Sequence, residues 1–157
     1  MRVRILNFEL ALYFNILESR TGVCSGKADG SDRHMLLFDF DNANLASIAK
    51  SLEKLQATYK LPNIYIVQSS PLNYHGYCFS NRSFRETIML LSSVPEIDEK
   101  YLRLGIVRGY YTLRISQRAG EIFKTVLTLE SMFPREMETG EMTVNEYLTS
   151  NKGGRNA

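Results

Sequence analysis

The run Met35-Leu36-Leu37-Phe38-Asp39-Phe40-Asp41-Asn42 stays apolar until it reaches two aspartates separated by one residue. On a β-strand successive side chains point to opposite faces, so Asp39 and Asp41 are expected to project together while Leu36, Phe38 and Phe40 enter the other side. Two carboxylates at a strand end form a set of hard oxygen ligands suited to Mg²⁺ or Mn²⁺. Mg²⁺ is commonly held by one or two carboxylates, with water and substrate phosphates completing its shell. An ion so placed serves phosphoryl or nucleotidyl transfer. The same residues have a plainer use, because Asp or Asn between a strand and a helix accepts the orphan N–H groups of the first helical turn.

A second polar stretch follows a β-rich run: Ile64-Tyr65-Ile66-Val67-Gln68-Ser69-Ser70-Pro71-Leu72-Asn73-Tyr74-His75-Gly76-Tyr77-Cys78-Phe79-Ser80. An apolar strand ending in D-x-D, then a helix, then a strand, then S-S-P-x-N-Y-H-G-Y resembles the archaeo-eukaryotic primase superfamily, in particular the plasmid and phage branch of RepB-type replication primases. That family carries D-x-D or D-x-E on one strand and s-x-H on a following hairpin. A later strand usually supplies another acid, and the corresponding stretch here, Gly109-Tyr110-Tyr111-Thr112-Leu113-Arg114-Ile115-Ser116, has none. The likeness spans roughly residues 34–117.

The resemblance implies a primase or polymerase-like nucleotidyltransferase, an enzyme that joins a nucleotide to a primer 3′-hydroxyl. It assigns Asp39 and Asp41 to catalysis through Mg²⁺ or Mn²⁺. His75 would donate to a phosphate oxygen of the incoming nucleoside triphosphate, and Ser70, at the facing turn, would be a second donor. In the plasmid and phage branch an L-R-I-S-like run follows a G-Y-Y-like approach, which gives Arg114 a nucleotide-binding role, its planar fork suiting phosphate. A single-stranded DNA template is the implied partner. Such primases usually carry a helical or helicase domain beside the catalytic core, and a helicase or helical accessory domain on another chain would fill that place here.

Two other readings start from the same residues. Tyr74, Tyr77, Phe79, Tyr110 and Tyr111, flanked by Arg108, Arg114 and Arg118, could form stacking platforms on a sheet, making the chain a catalytically degenerate primase-like module that binds single-stranded nucleic acid. A haloacid-dehalogenase-type phosphatase would use Asp39 as nucleophile and Asp41 as acid, but it needs a downstream lysine and acidic pair in a parallel-sheet frame. Substitution separates the first two readings: a binding module survives Asp39→Ala, and an enzyme does not.

The elements that must position these residues follow from periodicity. A strand is expected over residues 10–19 as partner of the Asp-bearing strand, although Val3 to Ile16 fits strand and helix periods in different parts. Residues 20–33, with Gly22, Gly26, Asp29, Gly30 and Asp32, read as a long loop, in which Lys27 and Arg33 are solvated cations or approach a phosphate. Asn44 to Tyr59 places Leu45, Ile48, Ala49, Leu52 and Leu55 on one stripe of an amphipathic helix. Ile64–Gln68 and Tyr74–Ser80 form a hairpin about Ser70-Pro71-Leu72-Asn73, with His75, Tyr77 and Phe79 on one face. Ser83-Phe84-Arg85-Glu86 has capping-box spacing before a short helix. Pro95 to Leu104 reads as another helix that exits at Gly105, and Ile106–Ser116 with Glu121–Leu129 as a long hairpin.

The resulting order, β-α-β-β-α-α-β-β, is an α+β domain with a mostly antiparallel sheet and helices packed on one face. It agrees with the RRM-like half of a primase catalytic core. One domain over residues 1–133 and a polar extension over residues 134–157, disordered at its end, suit a chain of 157 residues. A composition of 44% hydrophobic and 23% charged residues is that of an ordinary globular protein. A net charge of +2 points to no particular partner. Cys24 and Cys78 have neither zinc-site spacing nor disulfide-scaffold density and read as reduced structural residues. No apolar run reaches the roughly 18 residues of a membrane span, so an intracellular protein with no membrane partner is expected. The resemblance to the plasmid and phage branch leaves a plasmid, phage or cellular source open.

Overall fold

A computed structural model describes residues 2–5, 8–11, 22–26, 30–114 and 124–136 of the chain. Two short strands, β1 (Arg2–Ile5) and β2 (Phe8–Ala11), pair antiparallel, with Arg2 opposite Ala11 and Ile5 opposite Phe8. Of the strand expected over residues 10–19, only its first two residues are described, at the end of β2. They do not partner the Asp-bearing strand. That place belongs to a longer neighbour introduced below.

Strand β3 (Gly22–Cys24) interrupts the stretch expected to be a loop. It is too short for its alternation to show in sequence, and its partner lies far along the chain. Val23 is nonetheless buried between two exposed neighbours, the signature of a half-covered strand. The segment then returns through Gly26, which bridges His34 at the start of β4 (His34–Phe40). Ser25 fixes this corner. Its hydroxyl accepts the Tyr111 N–H at 3.0 Å and lies 3.0 Å from His34 Nδ1, while its carbonyl accepts the Met35 N–H.

Helix α1 (Leu45–Tyr59) begins where Asn44 Oδ1 accepts the N–H groups of Ala46 and Ser47, and it ends at a left-handed Lys60. Strands β5 (Ile64–Ser70) and β6 (Asn73–Arg82) form the expected hairpin, with Ile64 opposite Cys78 and Ser70 opposite Asn73. Strand β6 also pairs antiparallel with β4, Leu36 opposite Cys78 and Asp39 opposite His75. It is therefore the central partner of the Asp-bearing strand. Since β4 and β5 both run antiparallel to β6, they run parallel to each other with β6 between them, a split β-α-β unit closed by α1.

Helix α2 (Phe84–Ser92) starts in a capping box made by Ser83 and Glu86, as the spacing predicts. Helix α3 (Glu99–Arg108) starts four residues later than expected, at an Asp98 cap, and runs four residues further to a left-handed Gly109. Gly105 is inside the helix, not at its exit. The reason is packing: the Tyr111 ring lies directly on Gly105, where an added Cβ would sit 2.0 Å from Tyr111 Cε1. Tyr111 is in turn flanked by Tyr101 and Phe84, at ring separations of 5.2 and 5.8 Å.

The expected hairpin over residues 106–129 is not formed. Ile106 to Arg108 belong to α3, strand β7 (Thr112–Arg114) pairs with β3, and β8 (Lys124–Leu129) pairs with β5. Buried Leu113 and Tyr111 draw β7 toward the β3 corner, while β8, half-buried along most of its length and buried at Leu129, lies at the edge of the larger sheet. Residues 115–123, including Arg118, lie outside the described residues. The chain is thus an α+β protein whose main sheet has the order β4-β6-β5-β8, every neighbour antiparallel. From β4 onward the element order is the expected β-α-β-β-α-α-β-β.

One face of this sheet carries Leu36, Phe38 and Phe40 with Tyr74, Gly76, Cys78, Ile64 and Ile66. Helix α1 covers it with Ile48, Leu52 and Leu55, and Gln56 Nε2 ties the two layers by donating to the carbonyls of Pro62 and Leu129. The absence of a side chain at Gly76 lets Phe38 lie flat on β6, since a Cβ there would come within 3.1 Å of the ring. The other face carries Leu37 and Asp39 with Tyr77, His75, Tyr65 and Val67. Past β8, Glu136 accepts from the Asn81 N–H and from Arg82, which ties residues 134–136 to the end of β6. Both cysteines are free thiols. Cys78 is buried, which pushes its thiol up to about 12, whereas Cys24 is exposed and has no part in the core.

Candidate active site at the carboxyl end of strand β4

Asp39 stands directly opposite His75 on the face away from α1, and His75 Nε2 lies 3.6 Å from Asp39 Oδ1. Burial is unequal: the Asp39 side chain is 26% exposed and that of His75 is 9% exposed. On the other ring edge, His75 Nδ1 is 3.3 Å from the Tyr77 hydroxyl. Alternation on β6 and the antiparallel register with β4 are sufficient to produce this cluster.

The outer edge of β4 brings in a third acid. In an antiparallel ladder alternate residues turn their backbone groups outward, and on β4 these are Met35, Leu37 and Asp39. Met35 N–H donates to Ser25, Leu37 O accepts the Tyr101 hydroxyl at 2.9 Å, and Asp39 O accepts the Asp98 N–H at 2.9 Å. Asp98 then caps α3, its Oδ1 accepting the Tyr101 N–H. The start of α3 is thereby docked beside Asp39.

The electrostatics report the same gathering. The Asp39 carboxyl is pushed up to about 7, first by burial and then by the negative charges of Asp41 and Asp98. The Phe40 N–H and the Arg114 guanidinium oppose the rise without cancelling it. The Tyr101 phenol is likewise pushed well up, by burial and then by Asp39. Asp39, Asp41, Asp98 and Arg114 therefore share one electric field, with His75 across the strand pair.

Asp41 reaches this field by a route that strand alternation does not describe. Strand β4 ends at Phe40, and Asp41 and a left-handed Asn42 (φ 51°) form a bend. The β5–β6 hairpin tip holds that bend. Asn42 N–H donates to Asn73 Oδ1 at 2.8 Å, and Ala43 N–H donates to Leu72 O at 3.0 Å. Leu72 adopts φ 63° after Pro71, the positive φ that the third position of a type II turn requires. Asn73 Nδ2 donates to Ser70 Oγ at 2.7 Å, so Ser70 is built into the turn that braces Asn42.

Asn73→Ala is expected to cost about 1–2 kcal/mol, because it removes the acceptor of the Asn42 N–H and the donor to Ser70 together. Urea unfolding checks the stability. A weaker Mn²⁺-induced rise in melting temperature than in the wild type checks the coupling to Asp41.

Arg114 lies on β7 opposite Gly22 and is half-buried. Arg33 and Arg108 are exposed, and Lys27 lies outside the described residues. The sequence did not single out Asp98, Asn73 or Tyr101 as site residues. A helix-capping aspartate gives no sign in its spacing that its backbone N–H reaches a strand end. The rings suggested as stacking platforms are mostly internal: Tyr77, Tyr111, Tyr74 and Phe79 are buried, and Tyr110 alone of that set is exposed, at 42%.

Among the described residues no group of three or more His, Cys, Asp and Glu is arranged as a ready metal shell. The donors at the β4 end are nevertheless of the type an oxygen-seeking cation takes. Mg²⁺ retains water and phosphate oxygens, so one or two carboxylates suffice. Burial first, and then repulsion from Asp41 and Asp98, holds the Asp39 proton, and a cation bound there would offset both.

No protein-family model matches this chain, and neither does any curated protein or solved structure. No helix among the described residues is long and apolar enough to cross a membrane.

Proposed function

We propose that the chain is a primase or polymerase-like nucleotidyltransferase acting on nucleoside triphosphates and a single-stranded DNA template. The observation that carries this reading is the direct opposition of Asp39 and His75 across β4 and β6, within the field of Asp41, Asp98 and Arg114. The split β-α-β unit of β4, α1, β5 and β6 supports an RRM-like core; the fourth strand of the main sheet departs from that topology, joining beside β5 and not beside β4.

In this reading Asp39 and Asp41 hold Mg²⁺ or Mn²⁺. When bound, the ion neutralises triphosphate charge and lowers the pKa of the attacking 3′-hydroxyl. Asp39 must first lose its proton, and Arg114 favours that loss. His75 donates to a phosphate oxygen, and Arg114 offers its planar fork to the same anion. Asp98 adds negative charge beside Asp39, where the resemblance implied an acid on a later strand. Ser70 acts by bracing Asn73 and can donate from the hairpin tip. Template grip would come from a helicase or helical accessory domain on another chain, in an intracellular setting. The burial of Tyr74, Tyr77, Phe79 and Tyr111 weighs against a catalytically degenerate module that stacks single-stranded bases on the sheet.

Template-directed extension of a labelled primer with Mn²⁺ and nucleoside triphosphates tests the reading. The wild type is expected to add nucleotides and Asp39→Ala to lose at least about 100-fold, comparable to losing a charge-stabilising group. Extension that is equal in both would overturn it.

A further inference from the structure

His75 faces two different neighbours. Its Nε2 edge points to the Asp39 carboxylate, and its Nδ1 edge lies 3.3 Å from the hydroxyl of Tyr77. Tyr77 is 1% exposed, two residues along β6 on the same face, with the rings edge-on at 68° and 6.3 Å apart. A neutral imidazole has one N–H and one lone pair, and what each edge meets decides which nitrogen keeps the proton.

We infer that Tyr77 is a positioning residue that locks His75 as the Nε2–H tautomer. The phenol O–H donates to the Nδ1 lone pair, and the carboxylate at 3.6 Å repels a lone pair on Nε2 and attracts an N–H there. Both neighbours therefore select the same tautomer. Tyr77 cannot easily turn away, because its ring is enclosed on the sheet face beside Leu37 and Tyr65. The consequence is a donor aimed toward the Asp39 side, where a phosphate oxygen can accept. The opposite tautomer would present a lone pair to that oxygen. The functional part of this inference rests on the nucleotide-binding reading above; the tautomer itself does not.

The test uses the full chain labelled with ¹⁵N. The protein has only two histidines, His34 and His75, so imidazole nitrogens can be assigned with a single His75→Asn control. Long-range ¹H–¹⁵N correlation at pH 8 is expected to show His75 protonated at Nε2 in the wild type, and a mixed population in Tyr77→Phe. With Mn²⁺ and a nucleoside triphosphate, Tyr77→Phe is expected to bind about 10-fold more weakly, the usual scale for losing a partner that orients a histidine. An Nδ1–H tautomer in the wild type overturns the inference whether or not the variant folds. An unchanged tautomer in folded Tyr77→Phe also overturns it. If the tautomer shifts as expected while neither protein binds nucleotide, the positioning role stands and the nucleotidyltransferase reading fails.

Discussion

Asp39→Asn is expected to raise the stability of the protein at pH 8 by roughly 2–4 kcal/mol while removing its response to divalent cation. The sign follows from the direction of the shift. The Asp39 carboxyl rises from 3.8 to about 7 in the folded chain, so folding favours its protonated form. The stabilisation from that proton is fully present below pH ~4 and is lost as pH rises through about 7, because the unfolded chain ionises freely and the folded one resists. At pH 8 the wild type therefore carries a charge among Asp41 and Asp98 that its fold disfavours. Asparagine keeps the shape and removes the charge. The upper figure corresponds to the whole shift; partial exposure of the side chain, 26%, lets solvent screening bring it down. Urea unfolding at pH 5 and pH 8 checks both parts: the variant is expected to lose the decline in stability between those values. Mn²⁺ is expected to stabilise the wild type by binding its native state and to leave the variant unmoved. A variant that is less stable than the wild type at pH 8 would contradict the electrostatic account.

Gly105→Ala is expected to destabilise the fold by about 3 kcal/mol, against the helix propensity of the two residues. Alanine in an exposed helix interior gains about 1 kcal/mol over glycine. Here its methyl would fall 2.0 Å from Tyr111 Cε1 and 2.2 Å from Cδ1, a distance at which either the ring or the helix must move. The ring is enclosed by Phe84 and Tyr101, and the Tyr111 backbone is fixed by its N–H donating to Ser25 Oγ. Displacing the helix instead would pull Asp98 and Tyr101 from the edge of β4 and so disturb Asp39. Chemical unfolding of Gly105→Ala, with Gly105→Ser as a second small side chain, reads the cost. A neutral or stabilising effect would show that Tyr111 does not rest on the helix as described.

The parts of the site that were legible in the sequence are those set by local periodicity. Alternation through Met35 to Phe40 put Asp39 on a strand face, turn chemistry at Pro71 and Leu72 defined the hairpin, and together they bring Asp39 opposite His75. The helix after Asn44 and the capping box at Ser83 were legible for the same reason. What depends on contacts between distant segments was not. Strand β3 is three residues long and owes its existence to β7, 90 residues away at the Val23–Leu113 pair. Gly105 looked like a helix end because only the Tyr111 ring explains a glycine inside one. Asp98 looked like a charge suited to a helix start, which it is, but its N–H also reaches Asp39. Asp41 reads as following Asp39 along one strand, whereas β4 ends at Phe40 and the bend that carries Asp41 is held through the Asn42 N–H, which donates to Asn73 at the tip of the β5–β6 hairpin.

Calorimetric titration of Mn²⁺, with and without a nucleoside triphosphate, into the wild type and into Asp39→Ala/Asp41→Ala tests the central claim most directly. The expected result is Mn²⁺ binding by the wild type that strengthens with nucleotide and disappears in the double variant. A folded wild type that binds neither metal nor nucleotide, or a double variant that binds both equally well, would contradict the assignment of a nucleotidyltransferase site to the end of β4.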